Sequence, residues 1–317
     1  MLEQGFTQAP ARATSEPTGD IRAHDPSIIK AGGVYYVFST GDEGGLNEGS
    51  LQIRSSKDMR VWDFSSTVFE NLPKWITKEI GKVPNLWAPD VSYANGRYLV
   101  YYAASHFGTN ESVIGLATNV TLDPTSPKYR WVDEGLVIRS RGGIDNWNAI
   151  DPNRVVDAQG QAWLAFGSYW DGIKMRRLDP KTGKLSSRDT TLYSLASRGG
   201  GAIEAPSIVH HGGYYHLFVS FDMCCRGADS TYKIMMGRSK KITGPYLDRD
   251  GVPMMKGGSS LLLEGHDRVR GPGGQTVYND GGTFRMVHHY YDADVSGEIK
   301  FDIRTLSWTG DGWPRLQ

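Results

Sequence analysis

The chain has little cysteine, no excess charge of either sign and no long apolar run. Its 317 residues include two cysteines, Cys224 and Cys225, too few for a disulfide framework or a cysteine-based zinc site. Lysine plus arginine and aspartate plus glutamate both number 35, so the formal net charge is zero. That balance leaves no electrostatic footprint for nucleic acid or an anionic membrane, and neither is expected as a partner. No apolar stretch reaches the roughly 20 residues of a membrane span. The eight histidines show no HExxH or comparable spacing, which speaks against a metallohydrolase. Met1–Gly19 has neither the apolar nor the basic region of a signal peptide. It reads as a flexible arm over residues 1–20, leaving a cytosolic chain or a mature or recombinant form open. An extracellular or periplasmic location is the expectation.

What is abundant is glycine, at 39 residues, and aromatics, with 9 Trp, 16 Tyr and 10 Phe. This composition favours many short strands joined by tight turns. Five motifs set a proline in similar surroundings: His24-Asp25-Pro26-Ser27, Trp87-Ala88-Pro89-Asp90, Ile150-Asp151-Pro152-Asn153, Glu204-Ala205-Pro206-Ser207 and Arg270-Gly271-Pro272-Gly273. Their prolines are 63, 63, 54 and 66 residues apart. Each motif is followed by a glycine turn and an aromatic run: 34–40, 97–105, 162–169, 214–221 and 284–292. Asn-Gly and Gly-Gly between such runs are hairpin signals. A third strand follows in each unit, at 51–55, 113–118, 173–178, 232–238 and 298–304. Trp62 and Trp308 are candidate starts of a fourth, outer strand, and 57–85 and 183–200 read as loop insertions. Five such units predict an all-β, five-bladed β-propeller in a single domain over 21–317.

If the prolines open the innermost strand of each blade, the residues beside them converge on one end of the channel. Asp25, Asp151 and Glu204 then share a funnel, with Asp90 nearby but without a catalytic role. Gathered carboxyl groups raise one another's pKa and do not help folding, so a function explains them better. Two carboxyl groups flanking a glycosidic bond are the equipment of a glycosidase. Trp87, Trp147, Trp170 and Phe107 offer faces for sugar rings, and Asn148, Ser168 and Asn153 offer hydrogen bonds to hydroxyls. One detail resists strict alternation. Glu204 stands two residues before its proline, whereas Asp25 and Asp151 stand one before. A bulge would explain this; the preferred explanation is that strand tips project into the funnel from either face.

Several stretches carry a resemblance: HDPSII (24–29), WAPDV (87–91), NAIDPN (148–153), WLAFGSYW (163–170), EAPSI (204–208), SFDMCCRG (220–227), STYKIMMGRS (230–239) and DGWP (311–314). Together and in order they resemble the arabinanases of glycoside hydrolase family 43. The resemblance implies a five-bladed propeller and inverting hydrolysis of α-1,5-linked L-arabinofuranosyl bonds. It implies Asp25 as general base, Glu204 as general acid and Asp151 as the group that tunes and holds the acid. Inversion requires acid and base carboxyls roughly 6.5–9.5 Å apart. Trp87 and Phe107 match groove-lining aromatics, and Cys224-Cys225 move from a reading as buried thiols or a strained vicinal disulfide toward a site-lining loop. Many relatives carry a histidine near an axial metal where this chain has Gly274. No cofactor is required for the chemistry. A water-coordinated calcium or sodium, or no ion, stays open, with His288 or His289 as substitutes. The expected partner is arabinan or an arabino-oligosaccharide, and the expected state is a monomer. Alternatives are an α-L-arabinofuranosidase or β-xylosidase acting on short chains, and a carbohydrate-binding propeller without catalysis.

Overall fold

A computed structural model describes residues 16–317. Of the expected arm, 1–15 lie outside the described residues. Five antiparallel sheets follow one another along the chain. Blade 1 comprises Ser27–Ala31, Val34–Ser39, Gln52–Ser56 and Val61–Thr67 from the axis outward. Blade 2 comprises Trp87–Ala94, Arg97–Ala104, Ser112–Asn119 and Val132–Ser140. Blade 3 comprises Asn153–Val156, Ala162–Phe166, Ile173–Arg177 and Tyr193–Ala196. Blade 4 comprises Ile203–His211, Tyr214–Phe221, Lys233–Ser239 and Ser260–Leu263. Blade 5 comprises Val269–Asp280, Thr283–Asp292, Glu298–Trp308 and Pro314–Leu316. Each innermost strand touches the innermost strand of the next blade, and the fifth touches the first. The expected five-bladed propeller is therefore present.

The aromatic runs are continuous because both faces of each middle strand are buried. Neighbouring residues alternate between the two flanking blade junctions, as a period of two dictates. Tyr102 joins the cluster between blades 1 and 2, and Tyr101 the cluster between blades 2 and 3. Leu217 faces blade 3 while Phe218 faces blade 5, and Met286 and Val287 divide likewise between blades 4 and 1. Five apolar clusters result, one per junction.

A polar ring repeats inside this apolar one. The side chain just after each of the first four prolines accepts a backbone N–H from the next blade. Ser27 accepts from Val91, Asp90 from Arg154, Asn153 from Ile208 and Ser207 from Val277, at 2.7–3.1 Å. The circle closes when Thr276 Oγ1 donates to the Pro26 carbonyl at 2.9 Å.

The end of the stretch read as a flexible arm forms a short strand. Thr18–Gly19 pairs in parallel with Val61–Trp62, on the outer edge of blade 1. The next residues then reach blade 5, where Phe301 N–H donates to the Ile21 carbonyl at 3.0 Å. Trp62 does lie in a fourth strand, but Trp308 ends the third strand of blade 5, and Pro314–Leu316 forms the fourth. The stretches taken as insertions also contain structure. Val61–Thr67 and the helix Lys74–Ile80 lie in the first, and Tyr193–Ala196 in the second. Outer strands carry less aromatic burial, so their pattern is weaker in the sequence.

Candidate active site

One backbone kink recurs at the mouth of the channel in every blade. The residue before each proline has a left-handed φ: Asp25 +49°, Ala88 +44°, Asp151 +55°, Ala205 +51° and Gly271 +51°. Four of these five are not glycine, and such a conformation costs about 1–3 kcal/mol at a side-chain-bearing residue. In blades 2, 4 and 5 the strand register slips at the kink, between Trp87 and Asp90, Glu204 and Ser207, and Arg270 and Gly273. A bulge thus explains the offset of Glu204, and the preferred reading of face-independent strand tips is set aside. The kink turns the chain so that Asp25 and Asp151, before the proline, meet Glu204, one residue earlier.

Asp25 is held on three sides. His24 Nδ1 lies 2.7 Å from Asp25 Oδ2, and Thr40 Oγ1 donates to the same oxygen at 2.7 Å. Thr40 Oγ1 itself accepts the Ala88 N–H at 2.9 Å, which leaves its own proton for Asp25. The Asp25 N–H donates to His289 Nδ1 at 3.1 Å. Burial opposes ionisation of Asp25, but the His24 charge and hydrogen bond, with help from His289 and Thr40, bring it down to about 2. Asp25 is therefore a carboxylate, as a base must be.

Glu204 has the opposite character. Burial, aided by the negative charge of Asp25, pushes it up to about 7 against the Ser168 hydroxyl bond and His24. Ser168 Oγ lies 2.6 Å from Glu204 Oε2. Asp151 is raised well above the usual carboxylate range by burial and by the charges of Glu204 and Asp25. Its Oδ2 accepts the Ala205 N–H at 2.9 Å, so Asp151 grips the backbone just beyond Glu204. One carboxylate and two carboxyls raised by burial and mutual repulsion give an acid and a base in one site.

The expected sugar contacts divide. Phe107 is 84% exposed on the loop after Arg97–Ala104. Trp87 is partly buried, with its indole N–H donating to Asn85 Oδ1 at 2.8 Å. Ser168 is buried against Glu204 and Asn148 is 3% exposed. Asn148 Oδ1 accepts from Ser112 Oγ at 2.6 Å and its amide group donates to the Thr109 carbonyl. Asn148 ties loops together, and Ser168 serves the acid; neither side chain is left open to a sugar hydroxyl. Cys224 and Cys225 form a vicinal disulfide, so the reading as buried thiols is set aside. Cys225 is exposed and its Sγ lies 3.7 Å from His24 Nε2, next to the base.

The sequence does not mark Thr40, Tyr291 or Gln275 as site residues, and it offers His289 only as a substitute ligand for an axial ion. Gln275 Nε2 donates to the Ala205 carbonyl at 2.7 Å, and its Oε1 accepts from Ser220 Oγ at 2.9 Å. The usable signal lay in blade 5: residues 287, 289 and 291 share one face of Thr283–Asp292, and Val287 faces blade 1.

Few donors at the channel mouth are free for a protein-ligated axial ion. His24, Asp25 and His289 place ligand atoms within 4.8 Å of one another. His24 Nδ1 is committed to Asp25 and His289 Nδ1 accepts the Asp25 N–H, which leaves His289 Nε2 buried without a hydrogen-bond partner. A Cβ at Gly274 would stand 2.6 Å from both Asp25 Oδ1 and His289 Nδ1. The His289 ring thus fills the space a side chain at 274 would enter. His288 is buried, with Nδ1 3.0 Å from the His289 carbonyl.

Comparison with known proteins agrees with this geometry. The family model "Glycosyl hydrolases family 43" matches residues 14–314. An extracellular endo-α-(1→5)-L-arabinanase of Bacillus subtilis is 44% identical over 98% of this chain and 92% of its own length. An extracellular exo-α-(1→5)-L-arabinofuranosidase of Cellvibrio japonicus is 40% identical over 93% of this chain and 86% of its own. Among solved structures, an α-L-arabinanase of Cellvibrio cellulosa complexed with arabinohexaose superposes with a TM-score of 0.88, at 40% identity, covering 94% of this chain and 96% of that one. By sequence, by fold and by the carboxyl cluster at its channel mouth, the chain belongs to glycosyl hydrolases family 43 and is a glycoside hydrolase.

Proposed function

We propose that the chain hydrolyses α-1,5-linked L-arabinofuranosyl bonds of arabinan with inversion. The observation that carries this reading is the contrast between Asp25, held down to about 2, and Glu204, pushed up to about 7, in one funnel. Asp25 takes a proton from water as its oxygen attacks the anomeric carbon. Glu204 delivers its proton to the departing glycosidic oxygen. Asp151 holds the Ala205 amide, which keeps the acid in place, and as the buried carboxyl beside Glu204 it tunes the proton that Glu204 carries. Trp87 and Phe107 supply surfaces on which furanose rings rest. The arabinan-active relatives at 44% and 40% identity support the substrate class, and one is named for internal and the other for terminal cleavage. The same reading takes 21–317 as one catalytic domain acting as a monomer. It places the enzyme outside the cell or in the periplasm, where polysaccharide is met. Among the described residues no helix is long and apolar enough to cross a membrane. The reaction runs on carboxyl groups without a required ion.

The test is product analysis on linear arabinan, arabino-oligosaccharides and xylan, with and without chelator. The expected result is release of α-1,5-linked arabino-oligosaccharides or arabinose, insensitive to chelation. Asp25→Ala and Glu204→Ala should each cost about 10²–10⁴-fold in turnover. Preferred hydrolysis of xylan would overturn the substrate, near wild-type turnover in either variant would overturn the roles, and loss of activity on chelation would overturn metal independence.

A further inference from the structure

The vicinal disulfide loop is wired to the general base through a tyrosine. The Cys225 N–H donates to Tyr291 Oη at 2.9 Å, and Tyr291 Oη lies 3.0 Å from His24 Nε2. His24 Nδ1 lies 2.7 Å from Asp25 Oδ2. Because Asp25 is ionised, His24 Nδ1 must carry the proton in that contact. Neutral His24 then has a bare Nε2, and Tyr291 Oη donates to it while accepting from Cys225. When His24 takes a second proton, its Nε2–H meets the same Tyr291 oxygen. Tyr291 is thus the partner of Nε2 in both protonation states.

We propose that Tyr291 is a positioning residue for Asp25, acting through His24, and that the Cys224–Cys225 disulfide holds the amide that orients it. This rests on Asp25 being the base. A disulfide between adjacent cysteines closes a small covalent ring around their shared peptide, so the direction of the Cys225 N–H is restricted. Cys225 has a left-handed φ of +65°, and the surrounding loop is tied by Thr231 to Met223 and by Ser230 to Arg226. The disulfide therefore restrains the end of the relay that faces solvent, while Asp25 occupies the other end. The groups facing Asp25 are His24 beside it, Thr40 from blade 1, His289 and Tyr291 from blade 5, and the carboxyls of Asp151 and Glu204. Of these, His24 is the group bonded directly to the Asp25 carboxylate that also depends on Tyr291. His24 is raised above its ordinary value because its attraction to Asp25 outweighs burial. With the Tyr291 hydroxyl removed, His24 Nε2 loses its oxygen partner, either as acceptor or as donor, and keeps only the weaker contact with Cys225 Sγ at 3.7 Å. The imidazole is then free to turn a bare Nδ1 toward Asp25 or to resist protonation, and both changes raise the pKa of Asp25.

The experiment is a pH profile of kcat/KM on linear arabinan for the full chain carrying Tyr291→Phe, with KM and thermal midpoint measured alongside. The expected result is an acidic limb about one unit higher, within the range that nearby charges produce. Turnover on the plateau should fall about tenfold through misalignment of the base, with KM little changed. A Cys224→Ser, Cys225→Ser double variant should move the limb in the same direction by a smaller amount. An acidic limb in Tyr291→Phe that coincides with wild type overturns the relay. A double variant with a wild-type limb overturns the part assigned to the disulfide. Asp25→Asn separates this from failure of the base assignment: that variant must lose about 10²–10⁴-fold at every pH, whereas Tyr291→Phe must keep a plateau within about tenfold of wild type.

Discussion

Asp25, Asp151 and Glu204 are chemically similar side chains within one site, and their surroundings give them different tasks. Asp25 faces an imidazole, a hydroxyl and no donor that prefers its neutral form, so it stays ionised down to about 2. Glu204 has one hydroxyl partner and a carboxylate neighbour, so it keeps its proton up to about 7. The active form, with Asp25 bare and Glu204 protonated, is therefore populated between those values. Hydrolysis should decline as pH rises through about 7, where Glu204 ionises. Replacing Asp151 by Asn exchanges the carboxyl beside Glu204 for an amide and alters the grip on the Ala205 N–H. The alkaline limb then moves from its wild-type position, with a reduced plateau. A profile of kcat/KM against pH that matched wild type on its alkaline side would show that Asp151 has no tuning role. The three acids were legible in the sequence because each stands one or two residues before a proline in a repeat. The roles of Thr40, His289 and Tyr291 were not, since what makes them functional is a contact made only on folding, 15 residues away for Thr40 and 264 or 267 for the other two.

At the scale of the element, the recurring unit is a kinked innermost strand that both aims a site residue and ties one blade to the next. Asp90 shows the second task alone. Its two oxygens accept from Asn153 Nδ2 at 3.0 Å and Arg154 N–H at 2.7 Å. The sequence reading of Asp90 as a local, non-catalytic residue left out this bridge to blade 3, because the partner lies 63 residues on. Asn153 cannot turn its amide round to suit a new neighbour, since its Oδ1 is occupied by the Ile208 N–H. Asp90→Asn would therefore bring one N–H group against another in a buried site. The expected cost is about 1–3 kcal/mol despite the conserved shape. Urea unfolding measures it, and a midpoint equal to wild type would remove Asp90 from the inter-blade ring.

For the whole molecule, the weak point of any propeller is where the last blade meets the first. Here no blade contains strands from both chain ends among the described residues. Besides the His24–Tyr291 and Asp25–His289 contacts, closure uses the Thr276–Pro26, Phe301–Ile21 and Tyr35–Asp280 hydrogen bonds and an apolar cluster. In that cluster Trp62 and Phe301, both fully buried, meet edge to face with centroids 5.3 Å apart. Phe301→Ala should lower stability by about 3–5 kcal/mol. The backbone bond from residue 301 to Ile21 survives the change, and the site residue opposite it in the ladder is His289. A lowered thermal midpoint with turnover retained at low temperature is the expected outcome. An unchanged midpoint would mean that the junction is closed by its hydrogen bonds alone.

The sequence by itself determined the number of blades, the inner three strands of each and the identity of the three acids. These are short-range facts: a proline, a glycine turn and a doubly buried strand each leave a mark within ten residues or so. It did not determine the bulge that brings Glu204 into line, the employment of Asn148 and Ser168 by the protein itself, or the attachment of the first strand to blade 1. Nor did it reveal that Cys225, Tyr291 and His24 form one chain of hydrogen bonds. Those depend on which groups meet across the axis, between residues as far apart as His24 and Tyr291. Only the closed ring decides that, because closure brings blade 5 against blade 1 and sets the shared environment in which each carboxyl group takes or keeps its proton.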